Sequence, residues 1–138
     1  RLEGAGAVER VVLDNNRQLD ADFVLVGIGV QPNTGFFKGI PLETDGSIRT
    51  DEHLQVYDDL YAAGDIARFP YQGRPTRIEH WQVACQQGRI AGMNMAGADR
   101  TYEAIPFFWT RQHGHSLVYF DHAADFDRII DKGRVEDQ

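Results

Sequence analysis

Phe23-Val24-Leu25-Val26-Gly27-Ile28 is a continuous apolar run, too short for a globular helix and rich in β-branched residues. Such a run reads as a strand covered on both faces, the kind found in α/β folds. It leads into Gly29-Val30-Gln31-Pro32-Asn33-Thr34, where glycine frees the backbone and Pro32 fixes it, so the strand delivers an irregular loop. Loops at the carboxyl ends of strands are where α/β sheets bind ligands.

Upstream, the apolar stretch Val8 to Leu13, the turn cluster Asp14-Asn15-Asn16-Arg17 and Gln18-Leu19 predict a β-hairpin. Downstream, Pro41 to Thr50 reads as a second hairpin, with Asp45-Gly46 as its turn and Ser47 to Thr50 as its return strand. Leu60-Tyr61-Ala62-Ala63-Gly64-Asp65 follows as a short strand ending in glycine and a carboxylate. From about Glu79 to Ala96 only Gly88 and Gly92 resist a helix, and Trp81, Ala84, Cys85, Gly88, Ala91, Gly92 and Met95 recur at helical spacing. That stripe predicts a buried face of small residues allowing close backbone approach. Pro106-Phe107-Phe108-Trp109, Leu117 to Phe120 and Phe126 to Ile130 then have the texture of an antiparallel domain.

The 138 residues carry 14 Lys+Arg against 21 Asp+Glu, a net charge of -7 without any basic cluster, which argues against a nucleic-acid footprint. No run reaches the roughly 20 apolar residues of a membrane span. The single cysteine, Cys85, leaves no intrachain disulfide and fits a reducing, cytoplasmic compartment. On the predicted buried helix face it reads as an inert small hydrophobe.

Asp65 is the sharpest chemical candidate. A carboxylate just after a strand and a glycine can accept hydrogen bonds from a ligand hydroxyl, and the same position suits a helix N-cap. The helix start at Glu79-His80-Trp81 offers unpaired N–H groups and a favourable dipole for negative charge. Trp81 serves equally as a flat ligand-facing surface or a core anchor. His113, His115 and His122 read as exposed strand histidines rather than a metal site, with no carboxylate at tight spacing to complete one. Neither Gly4-Ala5-Gly6 nor Gly27-Ile28-Gly29 has the G-x-G-x-x-G spacing of a pyrophosphate loop.

In order and spacing, Ala21 to Thr34, Thr50-Asp51-Glu52, Leu60 to Ala67, Glu79-His80-Trp81 with Gln87-Gly88-Arg89, and Pro106 to Trp109 resemble a known family. It is the carboxyl-terminal half of the FAD-dependent pyridine nucleotide oxidoreductases, in the ferredoxin-reductase and apoptosis-inducing-factor branch. The resemblance implies that Asp65 holds a ribityl hydroxyl of FAD, with Gly64 letting the backbone approach. It implies that the amino end of the helix faces the flavin pyrimidine edge. Glu79, His80 and Trp81 then line the nicotinamide side with Trp109, and Gly29 and Pro32 lie beside bound NAD(P)H. The implied chemistry is hydride transfer from NAD(P)H to FAD and electron delivery to an acceptor such as a ferredoxin, or redox-modulated binding of the apoptosis-inducing-factor kind. No His-Pro pair of the disulfide-reductase type occurs.

The resemblance divides the chain into the end of a nucleotide-binding domain (1–46), the second half of a Rossmann-like FAD-binding domain (47–103) and the start of an α+β domain (104–138). Both nucleotide fingerprints of the family would precede this segment, so the chain is expected to be a fragment that alone binds FAD weakly or not at all. Exposed sheet edges would then favour self-association, a homodimer included.

Overall fold

A computed structural model describes residues 1–123, 125–130 and 132. The chain forms two compact units, Arg1–Val30 and the remainder from Gln31. The first unit is a three-stranded antiparallel sheet of β1 (Leu2–Glu3), β2 (Arg10–Val12) and β3 (Gln18–Asp20) in that order. The hairpin predicted at its heart is present, with Val12 opposite Gln18. Its turn closes through Leu13 N–H to Arg17 O at 2.9 Å, with Asn16 at a left-handed φ of 61° that asparagine tolerates. The run from Phe23 to Ile28 is not a strand, which corrects the expectation from the sequence. No strand among the described residues pairs with it, and Phe23, Leu25, Val26 and Ile28 are exposed. A strand covered on both faces needs neighbouring strands at its edges and packed elements over its faces, and the described residues supply neither here.

The second unit is built on a sheet of β4 (Ile48–Arg49), β5 (Ala67–Tyr71) and β6 (Arg74–Thr76), with β4 parallel to β5 and β5 antiparallel to β6. The Asp45-Gly46 turn forms as expected, Gly46 N–H donating to Glu43 O at 2.8 Å. The strand after it does not fold back as a hairpin; Ile48 instead pairs in parallel with Ala67. β7 (Gln55–Tyr57) and β8 (Leu60–Tyr61) make a small antiparallel pair. The strand expected to reach Asp65 stops at Tyr61, and Gly64–Ile66 winds into a single 3-10 turn. β9 (Phe107–Gln112) and β10 (His115–Phe120) form a regular hairpin. His113 and Gly114, both at positive φ, make its turn, so His113 does not share a strand face with His115. Phe126 to Ile130 shows no strand.

Helix α1 (Trp81–Met95) lies within the span expected from about Glu79 to Ala96, with His80 and Ala96 as its caps. It ends in a Schellman arrangement: Gly97, at φ 87°, donates to Asn94 O at 2.8 Å and Ala98 donates to Met93 O at 3.1 Å. Of the stripe expected to be buried, Ala91 is buried and Ala84 partly so, but the face is otherwise a different one. Val83, Gln87, Ala91 and Asn94 point inward, while Trp81, Cys85, Gly88, Gly92 and Met95 are exposed. Two buried amides set this phase by satisfying backbone that approaches that side. Gln87 Oε1 accepts the Gly64 N–H at 2.7 Å, and Asn94 bonds His53 O and both the carbonyl and N–H of Arg100. Cys85 is correspondingly exposed, against the expectation that it is buried. Space around Gly88 and Gly92 is open, and the close backbone approach expected of the small stripe occurs instead at Ala84, against Gly64.

The core gathers Leu54, Phe69, Ile78, Val83, Ala91 and Tyr102, with Ile48, Ala62 and Ala67 as a second cluster. Phe69 meets Tyr102 edge to face at 5.2 Å. Burial pushes the Tyr71 and Tyr102 hydroxyls up to about 12, and for Tyr71 the bond to the Asp121 carboxylate adds to the rise. A raised pKa in the folded state means stability that is complete below the ordinary tyrosine value of about 10 and is lost as pH rises through about 12. Thermal unfolding followed across that window should show a fall in melting temperature. Tyr71→Phe should shallow the fall, and an unchanged slope would remove Tyr71 as its source.

Candidate functional site

The 3-10 turn Gly64–Ile66 lies against the first half of α1. Gly64 has φ +77°, and a β-carbon there would come within 3.1 Å of the Ala84 β-carbon, so glycine is required twice over, by conformation and by space. Its N–H is held by buried Gln87. The backbone before Asp65 is thereby fixed to the helix. The Asp65 carboxylate projects into solvent with no hydrogen bond or ion pair among the described residues; only the backbone carbonyl is used, accepting from Arg77 at 3.2 Å. Asp65 is not an N-cap, because Ala63 holds that position without a side-chain bond.

His80 is the N-cap of α1, extended at φ -148°, ψ 133°, and caps nothing with its ring. The first turn contains no acidic residue, so the free N–H groups of the helix start keep their capacity for an anion or an electron-rich edge. His80 Nδ1 is buried without a partner. A buried, unpaired ring nitrogen is costly unless something bonds it. Beside it opens a cavity of about 530 Å³ lined by Arg77, Glu79, His80, Phe107, Phe108 and Tyr119 among others.

The β9–β10 hairpin supplies the aromatic wall. Phe108 lies 5.8 Å from the His80 ring, Phe107 stacks on Trp109 at 5.7 Å, and Trp109 meets Trp81 edge-on at 6.2 Å. The hairpin is latched to β5 by Tyr71, whose hydroxyl donates to Asp121 at 2.6 Å. The hairpin thus brings Trp109 to the consecutive residues Glu79, His80 and Trp81 at the start of α1; Glu79 and His80 line the cavity, Trp81 and Trp109 do not, and Gly64 with Asp65 adjoins the same helix. Pro32 does not line the cavity; its carbonyl accepts the Thr34 N–H at 3.0 Å. Gly29 belongs to the first unit, at φ +90° with open space around it.

Three residues have no role assigned from sequence, although Gln87 and Phe108 lie within the motifs that carry the resemblance. Gln87 carries the Gly64 contact, Phe108 faces His80, and Arg77 bridges Asp45 at 2.9 Å and Glu79 at 2.6 Å. Only the tandem Arg77-Ile78-Glu79 pattern, alternating about a buried isoleucine, hinted at the last of these. Asp45 is itself held far below the usual carboxylate range, chiefly by the Ser47 hydroxyl and also by Arg68 and Arg77.

Residues 1–88 match the pyridine nucleotide-disulphide oxidoreductase family. The chain is 37% identical over 138 residues to apoptosis-inducing factor 3 of Mus musculus, covering 96% of this chain and 23% of that protein. The ferredoxin reductase for the CYP199A2 system of Rhodopseudomonas palustris superposes with a TM-score of 0.87 at 31% identity, over 99% of this chain and 35% of that one. The covalent putidaredoxin reductase–putidaredoxin complex superposes with a TM-score of 0.81 at 35% identity, over 92% of this chain and 31% of that one. The chain thus spans about a quarter to a third of the length of these relatives. Its fold is that of a segment of these ferredoxin reductases. A family match over most of the sequence and a fold shared along nearly all of it lead to one conclusion: the chain belongs to the pyridine nucleotide-disulphide oxidoreductase family.

Proposed function

We propose that this chain is part of a longer flavoprotein and supplies the flavin and nicotinamide end of an FAD-dependent NAD(P)H oxidoreductase that feeds a ferredoxin-like acceptor. The observation that carries this reading is the uncapped start of α1 opening on an aromatic-walled cavity, with the free carboxylate of Asp65 fixed against the same helix through Gly64. The donor set fits the cofactor. A flat heteroaromatic ring suits the aromatic wall, an electron-rich ring edge suits the helix N–H groups, and the hydroxyls of a sugar-alcohol chain suit Asp65. The unpaired His80 Nδ1 is one more polar atom awaiting a partner.

FAD held there would supply the redox chemistry, hydride acceptance from NAD(P)H and release of two electrons to the acceptor. The chain's own residues bind and orient. Asp65 accepts a hydroxyl, the helix start stabilises negative charge, Glu79 and His80 face the nicotinamide side, and Trp81 with Trp109 offers an exposed aromatic face beside them. Gly29 and Pro32 belong in this reading to the NAD(P)H side. Residues 1–46, 47–103 and 104–138 belong to the nucleotide, FAD and third domains, and the setting is cytoplasmic.

The likeness to apoptosis-inducing factor 3 supports a second reading, in which bound nucleotide governs partner association and turnover is secondary. Steady-state turnover of the intact flavoprotein with an iron–sulfur acceptor separates the two. Rapid acceptor reduction by NADH or NADPH is expected. A slow reductase whose oligomeric state changes on reduction would instead support the binding role.

A further inference from the structure

Arg77 occupies the connection between β6 and α1, and its partly buried guanidinium reaches three separate segments at once. Its Nε donates to Asp45 Oδ2 at 2.9 Å, its Nη1 lies 2.6 Å from Glu79 Oε1, and the same Nη1 donates to the Asp65 carbonyl at 3.2 Å. Asp45 is an anchored anion rather than a mobile one. Its Oδ1 accepts the Ser47 hydroxyl at 2.6 Å and the Ser47 N–H at 3.1 Å, and its Oδ2 also takes Arg68 Nη2 at 2.6 Å. Arg68 in turn donates to Ser47 Oγ at 3.1 Å. Two carboxylates and two guanidiniums balance, and no charge in the cluster is left uncompensated.

A solvated ion pair would not need this construction. Exposed pairs fluctuate and contribute little, whereas a planar fork clamped on one side by a fixed anion holds its other partner in a defined place. The clamped partner here is Glu79, which lines the cavity. We propose that Arg77, buttressed by Asp45, is a positioning residue that fixes the Glu79 carboxylate for the nicotinamide ring and ties it to the segment bearing Asp65. This rests on the oxidoreductase reading given above. Lysine could not substitute fully, because an ammonium lacks the fork that meets Asp45 and Glu79 from different nitrogens.

The test is a double-mutant cycle in the intact holoenzyme with Arg77→Gln, Glu79→Gln and both together. The readouts are the dissociation constants for NAD+ and NADP+ from perturbation of flavin absorbance, the FAD content and the melting temperature. Each single change should weaken binding of the preferred nucleotide on the order of tenfold, the scale of one lost charge-assisted hydrogen bond. The double variant should bind no more weakly than Glu79→Gln alone, and Arg77→Lys should recover part of the loss. Asp45→Asn gives a second route should Arg77→Gln fail to fold, and its effect should likewise vanish when Glu79 is already glutamine. Additive losses, or a fall in FAD content and melting temperature with unchanged nucleotide affinity, would overturn the positioning role alone. A wild-type holoenzyme whose flavin responds to neither nucleotide would overturn both this role and the reading beneath it.

Discussion

Asp65→Ala in the intact flavoprotein is expected to weaken retention of FAD by about 10- to 100-fold while leaving the melting temperature of the apoprotein unchanged. The magnitude is that of a hydrogen bond to a charged acceptor, about 1.5–3 kcal/mol. The separation of the two effects follows from geometry. The Asp65 side chain is exposed and makes no contact that the fold depends on among the described residues, since only its carbonyl is engaged, by Arg77. Asp65→Asn keeps an acceptor oxygen and should fall between the variant and the wild type. FAD content by absorbance after purification, set beside thermal unfolding of the apoprotein, checks both halves. Full FAD content in Asp65→Ala would remove Asp65 from the site, and a lowered melting temperature would make its role structural.

The second large effect concerns the core. Phe69→Ala should cost about 3–5 kcal/mol, since truncating a buried phenylalanine loses its transfer free energy and leaves a cavity. Phe69 is 1% exposed, sits on β5 between the parallel and antiparallel partners of the sheet, and packs edge-on against Tyr102 and Tyr71. Against typical domain stabilities of about 5–15 kcal/mol, that loss consumes a large fraction of the total. The damage should spread to the site, because Tyr71 latches the β9–β10 hairpin that carries the aromatic wall. Denaturant unfolding of the variant measures the loss, and a change below about 1 kcal/mol would contradict the assignment of this cluster as the core.

How far the sequence disclosed this architecture depends on where the deciding contacts lie. The approximate extent of α1 was legible because helical spacing is a local signal. Its phase was not, because Gln87 and Asn94 count as outward residues in any apolar pattern. They turn inward only to satisfy the Gly64, His53 and Arg100 backbone. The β5–β6 hairpin stayed hidden for a similar reason. Pro70 and Pro75 face each other across it, and proline within a run argues against a strand unless the strand's other edge is free. Its turn at Gln72-Gly73, with φ values of 49° and 74°, was the one available signal. The apolar run at Phe23 was over-read, since hydrophobicity reports a demand for partners and not their presence.

At the site, the resemblance grouped Glu79, His80, Trp81 and Trp109, and the β9–β10 hairpin brings the two tryptophans together, a contact that no local signal announces. The Asp45–Arg77–Glu79 chain could not be read in advance. Asp45 and Arg77 lie 32 residues apart, and Asp45 has a sufficient local explanation as a turn residue.

The most direct test of the oxidoreductase reading is an anaerobic absorbance spectrum of the intact protein, recorded as purified and after addition of NADH or NADPH. A flavin spectrum that bleaches with one of the two nucleotides is the predicted result, and it would also name the hydride donor. A colourless protein that added FAD cannot reconstitute would contradict the reading and leave a family fold used for binding alone.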